Sequence, residues 1–202
     1  GMRRQAVNER SLRRAWDTRG RTTPDDWRNW LRRLAVELLR ESPSPALRSC
    51  ASLAQVLQPL AQALFNAAFL SCWNALSVEG QDSLVVALEA AFAAPATPAA
   101  ILTQLLNLAE FMEHEDKPLH TEPAKLGDLA ERCRAHAKAL HYREMQWAEN
   151  PAGCVEALIS INNQLGQPEA AVGILRLVQQ QRLHAVLGVR APDDDEADGG
   201  GG

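Results

Sequence analysis

The sequence predicts an all-α fold, an α-solenoid of antiparallel helix hairpins, and three observations carry that reading. Ala and Leu dominate, while the chain holds one Tyr, four Phe and few β-branched residues, a composition that favours helix over strand. Helix-start signals recur roughly every 15 to 25 residues and are joined by short turns. No stretch alternates apolar and polar residues with period two. Successive helices of about four turns joined this tightly pack antiparallel, each hairpin covering its neighbour's apolar face. A closed bundle of similar helices would give the same spacing.

In order along the chain, Thr23-Pro24-Asp25-Asp26 reads as an N-cap, a Pro in the first turn and acids at the positive helix end. Trp27, Trp30, Leu31, Leu34, Leu38 and Leu39 then recur at three- and four-residue steps and form one stripe, with Arg28, Arg32 and Arg33 off its centre. Ser44-Pro45 opens a short helix to about Leu57. Pro59 opens a longer one to Leu76 that is apolar around most of its circumference, as expected of a helix packed on both sides. Ser77 caps the next, to about Ala94 through Leu84, Val85, Leu88 and Phe92, and Thr97-Pro98 begins another with Ile101, Leu105, Leu108 and Met112 on its stripe. Glu113 to Lys125 is polar, contains two prolines and reads as a connection. A helix over about Leu126 to Ala148 follows, with Leu129, Cys133, Ala137, Leu140 and Met145 facing inward. Asn150-Pro151 starts the next, which Gly166 ends, and Gln167-Pro168-Glu169 starts the last, to about Arg182.

The net charge of -4 conceals an asymmetry. Eleven of the 21 basic residues, all Arg, fall in the first 40 positions against five acids, whereas Asp193, Asp194, Asp195, Glu196 and Asp198 precede four terminal glycines. That tail cannot bury apolar surface and is expected to be disordered. No apolar run reaches the roughly 20 residues of a membrane span, and nothing apolar follows the basic start, so neither a membrane span nor a signal peptide is expected. Cys50, Cys72, Cys133 and Cys154 are widely spaced inside helical patterns, which favours reduced, buried thiols over a disulfide framework.

Several strings resemble the target-of-rapamycin (TOR) serine/threonine protein kinases and occur in that family's order. They include DDWRNWLRRLAVELL (Asp25 to Leu39), SPALRSCASLAQ (Ser44 to Gln55), LFNAAFLSCWNAL (Leu64 to Leu76) and LLNLAEFMEHEDKPL (Leu105 to Leu119). ERCRAHAKALHYRE (Glu131 to Glu144) and LISINNQLGQPEAAVGIL (Leu158 to Leu175) continue the series, so that similarity runs from about Ser11 to Gln180. The resemblance implies the end of a HEAT-repeat solenoid followed by the start of a FAT domain with TPR-like helices. The implied layout is a flexible basic N-terminus over 1–10, HEAT-like repeats over 11–119, a linker over 120–125, FAT helices over 126–184 and a disordered tail over 185–202. The tail departs from the family, which continues into further FAT helices, so a truncated or alternatively ended piece is expected.

Phosphoryl transfer needs a phosphate-cradling loop, a Lys, metal-holding carboxylates and a catalytic Asp, and neither a glycine-rich loop nor Asp-Phe-Gly occurs. No catalytic, cofactor-binding or metal-binding residue, and no cofactor, is therefore assigned. Cys133, His136 and His141, predicted on one helix with His114 and His120 nearby, are candidate zinc ligands by residue type. His141 falls off the face that Cys133 and His136 share, and no paired Cys motif is present. Arg3, Arg4, Arg10, Arg13, Arg14, Arg19 and Arg21 carry the best charge signal, for phosphates or acidic lipid heads, with Trp16 available for stacking; the competing reading is a solvated face. Trp27, Trp30 and Trp73 read as core, and Trp147, near a helix end, as a partner contact.

The expected function is a non-catalytic scaffold segment of a TOR-type kinase that supports complex assembly and regulation in nutrient and growth signalling. The resemblance implies other parts of a TOR chain, Raptor, Rictor and Rheb as partners, with no nucleic acid. It implies a cytoplasmic location, lysosomal or other endomembrane surfaces through the parent complex, and the nucleus. The alternative is an independent helical-repeat adaptor that binds a protein or peptide.

Overall fold

The computed structural model describes the backbone of residues 7–187, all-α and without a strand among them. Most of the basic start (residues 1–6) and the acidic-glycine tail lie outside the described residues. Two compact units divide the chain between Arg134 and Ala135.

The first unit contains α1 (Glu9–Trp16), α2 (Pro24–Glu41), α3 (Pro45–Ser49), α4 (Ala51–Val56), α5 (Gln58–Trp73), α6 (Val78–Ala93), α7 (Ala99–His114) and α8 (Pro123–Arg132). Its organising element is α2, which packs against α1, α3, α4, α5 and α7. The start of α2 is a full capping box: the Asp26 amide donates to Thr23 Oγ1 at 3.2 Å, and Asp26 Oδ2 accepts from the Thr23 amide at 2.9 Å. Every residue of the predicted stripe from Trp27 to Leu39 is buried, each large side chain contributing roughly 1.5–3 kcal/mol of transfer free energy. Trp27 and Trp30 meet edge to face at 5.5 Å, and Phe69 stacks on Trp73 at 5.7 Å in the α5 half of the same core. Ser77 caps α6 by accepting from the Gly80 amide at 3.1 Å.

Helix α1 precedes the first start signal in the sequence. Its face of Leu12, Ala15 and Trp16 is buried, and it packs on α2 and α6. Trp30 Nε1 donates to the Trp16 carbonyl at 3.1 Å, while Glu9 Oε1 accepts from the Ser77 amide at 2.8 Å. The latter bond, with Arg13 adding to it, holds the Glu9 carboxyl below its ordinary pKa.

The second unit contains α9 (His136–Glu149), a 3-10 turn (Pro151–Gly153), α10 (Val155–Gln164) and α11 (Pro168–Leu187), with α10 packed against both α9 and α11. Gly166 ends α10 as predicted. At φ +70° it closes a Schellman motif in which the Gln167 amide donates to the Asn162 carbonyl at 2.8 Å and the Gly166 amide to the Asn163 carbonyl at 3.1 Å.

The single helix expected over Leu126 to Ala148 is instead two. Arg134 takes φ +55°, its amide donating to the Glu131 carbonyl at 2.9 Å, and helix resumes only at His136. The interruption shifts the helical phase. The inward face of α9 is Ala139, Tyr142 and Arg143, while the expected Met145 is 41% exposed and Ala137 is exposed.

Candidate functional site

The candidate metal ligands fall on separate elements, and the break at Arg134 parts Cys133 from His136. Cys133 caps the end of α8 and His136 opens α9, so they do not share a helix as the sequence suggested. His120 lies at the α5–α6 corner, its Nδ1 3.5 Å from Asp82 Oδ1 and its ring edge-on to Trp73 at 5.9 Å. His114 is exposed at the end of α7, and the ring of His141 lies 5.0 Å from that of Tyr142. Among the described residues no three His, Cys, Asp or Glu side chains gather where a metal ion could sit.

All four cysteines are unbridged, with Cys72 and Cys154 buried and Cys50 and Cys133 half-buried. Burial, with the Glu41 charge adding to it, pushes the Cys72 thiol up to about 12, and its Sγ–H is directed at the Leu38 carbonyl at 3.2 Å. That thiol is a packing group and a poor nucleophile. No helix among the described residues is long and apolar enough to cross a membrane.

Arg3 and Arg4 lie outside the described residues, and the rest of the arginine-rich start resolves into separate local arrangements. Trp16 is only 3% exposed and donates through Nε1 to Ser83 Oγ at 3.3 Å, so the stacking platform expected beside the arginines is part of the core. Arg19 is paired with Asp17 at 2.8 Å, and its guanidinium and backbone amide hold the Asp17 carboxyl down to about 2. Arg13 lies 3.7 Å from Glu9. Trp27, Trp30 and Trp73 are core as expected, and Trp147 is half-buried in the last turn of α9.

One concave surface lies on the outer side of α2. A cavity of about 160 Å³ opens between α2, α5 and the start of α7. Leu31, Ala35, Ala61 and Ile101 form its apolar lining, and Arg28 and Arg32 stand among its polar lining residues. Arg32 also lines the adjoining depression with Arg33 and Arg40. Two guanidiniums meet the end of α4 there: Arg32 Nη2 donates to the Gln55 carbonyl at 2.8 Å and Arg40 Nη2 to Gln55 Oε1 at 2.7 Å. Opposite the buried Ala51 and Ala54, α4 and its C-cap present Leu53 (52% exposed), Val56 (76%) and Leu57 (48%) to solvent. The sequence carries a signal for this shelf apart from its caps and core stripes, because 53, 56 and 57 follow helical spacing on the side away from Ala51 and Ala54.

No protein-family model matches the chain. It is similar to serine/threonine-protein kinase TOR of Arabidopsis thaliana, with 52% identity over 88% of this chain and 8% of that protein. It is similar also to serine/threonine-protein kinase TOR2 of Saccharomyces cerevisiae (50% identity over 86% of this chain and 7% of the relative). With serine/threonine-protein kinase mTor of Drosophila melanogaster it shares 47% identity over 84% of this chain and 7% of the relative. The chain therefore spans less than a tenth of the length of these curated relatives.

Proposed function

We propose, for a chain homologous to one short segment of the TOR serine/threonine-protein kinases, that it acts as a non-catalytic helical scaffold. The observation that supports this reading is the identity of about half of all residues across nearly nine-tenths of the chain. The apolar core accounts for only part of such identity, since a helical core needs apolar side chains of suitable size at its buried positions and tolerates many combinations of them. Strings with exposed, connecting residues such as Glu113 to Lys117 resemble the family's as well.

In this reading the helices transmit position. The resemblance puts the hand-over from HEAT-like repeats to TPR-like FAT helices at 120–125, around the start of α8, and small rotations between neighbouring hairpins add along the stack. Partners are other parts of a TOR chain, Raptor or Rictor, and Rheb, and the site of action is cytoplasmic, at endomembrane surfaces through the assembled complex, or nuclear.

A segment exchange tests the proposal. The matching stretch of yeast TOR2 is replaced by this chain's residues, and growth, complex assembly and kinase activity are measured in cells that depend on the chimera. Support of growth with assembly retained is expected. A chimera that is expressed and folded yet fails to assemble would refute the scaffold reading, as would ATP-dependent phosphorylation by the pure chain alone. The second reading, a free-standing adaptor, draws on the cavity beside α2, which offers a peptide a place to bind.

A further inference from the structure

The outer side of α2 combines features that the core does not use. The cavity between α2, α5 and α7 has no carboxylate in its lining. Its volume of about 160 Å³ is comparable with engineered apolar cavities of about 150 Å³ that take up benzene, so one aromatic side chain fills it. The charges around it are unequal. Arg28, Arg32, Arg33 and Arg40 all stand on this face, and only Asp25 (2.5 Å from Arg28) and Glu37 (3.3 Å from Arg40) pair with them. The Arg28–Asp25 pair is well exposed and easily exchanged for another carboxylate. Arg33 makes no ion pair among the described residues, and Arg32 is committed only to a backbone carbonyl. Beyond them lies the apolar shelf of Leu53, Val56 and Leu57.

We propose that this face docks an acidic peptide segment carrying an aromatic anchor, with the ring in the cavity and the carboxylates on Arg28, Arg32 and Arg33. An aromatic anchor seated against Leu31, Ala35, Ala61 and Ile101 supplies most of the affinity of such a contact. Guanidinium–carboxylate pairs at the rim set its direction and speed its capture. The shelf then covers a second apolar residue of the segment. The inference does not depend on the scaffold reading, since it is drawn from the lining and charges of this face alone.

The test uses the full chain as bait for random dodecapeptides displayed on phage, followed by fluorescence anisotropy with the best-enriched peptide. Enriched sequences are expected to combine several Asp or Glu with Phe, Tyr or Trp, and binding is expected to weaken as salt rises. The double variant Arg28→Ala/Arg32→Ala is expected to lose roughly ten-fold or more in affinity. Ala100→Trp, at an exposed position lining the cavity, is expected to do the same by closing it, with melting temperature unchanged. Arg14→Ala, on α1, serves as the control and is expected to bind as the parent does.

Enrichment without acids or aromatics overturns the proposal, as does parental affinity in either folded variant. A chain with Asp193, Asp194, Asp195, Glu196 and Asp198 neutralised to Asn or Gln is expected to bind the peptide unchanged. If only that chain enriches peptides, the occupant is the chain's own tail and the proposal of a separate acidic partner fails. Failed selection together with Arg28- and Arg32-dependent sedimentation on phosphatidylserine vesicles assigns the face to lipid and equally overturns it.

Discussion

Two glycines seven positions apart in the second unit should respond to the same substitution with opposite signs. Gly166 sits at φ +70°, the left-handed position of the Schellman motif that ends α10, whereas Gly173 lies inside α11. A Cβ built at either position meets no atom within 4 Å, so neither substitution introduces a clash and the backbone alone decides the outcome. An L residue in the left-handed region costs roughly 1–2 kcal/mol, and Ala recovers about 0.4–1 kcal/mol by restricting the unfolded chain. Gly166→Ala should therefore destabilise the α10–α11 hairpin by about 1 kcal/mol. In a helix interior the steric penalty vanishes, and Gly173→Ala should stabilise by about 0.5–1 kcal/mol. Hydrogen exchange of the amides over 155–175 reads this locally, because the second unit opens through its own fluctuations. A loss of about 1 kcal/mol appears as roughly five-fold faster exchange. Gly166→Ala is expected to show that acceleration and Gly173→Ala a slowing of similar size. Unchanged exchange in Gly166→Ala, or acceleration in Gly173→Ala, would refute the assignment of these two backbone states.

Four further outcomes follow from the same structure. Arg134 and Asp116 hold φ +55° and +54°, each where a helix ends, so replacing either with Gly should raise stability by about 0.5 kcal/mol in urea melts. Trp30→Phe preserves most of the packing but removes the donor to the Trp16 carbonyl, and should cost about 1–2 kcal/mol; Trp30→Ala should cost about 3–5 kcal/mol by cavity formation, both read by urea unfolding. The Asp17 carboxyl should titrate at about 2 by NMR and rise only part of the way to the ordinary carboxylate range in Arg19→Ala, because the backbone amide at position 19 still donates to it. Its folded pKa lies below its unfolded one, so any stability it contributes is complete above about pH 4 and is lost as pH falls toward 2. At about pH 8, Cys50 and Cys133 should react with a thiol reagent in the native state, while Cys72 and Cys154, whose pKa values burial raises, should react only on unfolding.

What the sequence revealed depended on whether a feature was written in local chemistry. Helix α2 was fully legible, because Thr23, Pro24 and Asp26 mark its start and its tryptophans and leucines keep one phase to Leu39. The C-cap at Gly166 was legible because glycine is the residue that the left-handed region favours. The break after Arg132 was not, because Arg134 fills the same backbone role without a glycine to announce it. Missing that one residue carried an error forward: the phase of α9 shifted, and Ala137, Leu140 and Met145 were placed inward where Ala139, Tyr142 and Arg143 belong. Helix α1 was hidden for a different reason. Four of its eight residues are charged (Glu9, Arg10, Arg13 and Arg14), and only packing on α2 and α6 separates Leu12, Ala15 and Trp16 from the surrounding charge.

The concentration of arginine near the N-terminus shows why charge counted along a sequence differs from charge presented by a surface. Read as a string, the first 40 residues form one basic block. In three dimensions its stacking residue is buried, Arg19 is tied to Asp17, and Arg13 lies near Glu9. The arginines that remain concentrated are those of α2, and they are concentrated because helical spacing forces them together. With the stripe from Trp27 to Leu39 fixed in the core, residues 28, 32, 33 and 40 have nowhere to point but outward. Arg32 then reaches a free carbonyl at the end of α4, where a cation is favoured by the helix dipole. The pattern that builds the core thus also determines where the basic face lies, beside a cavity and an apolar shelf. A neutral substitution in the stripe that rotated α2 would disperse that face as surely as removing its arginines.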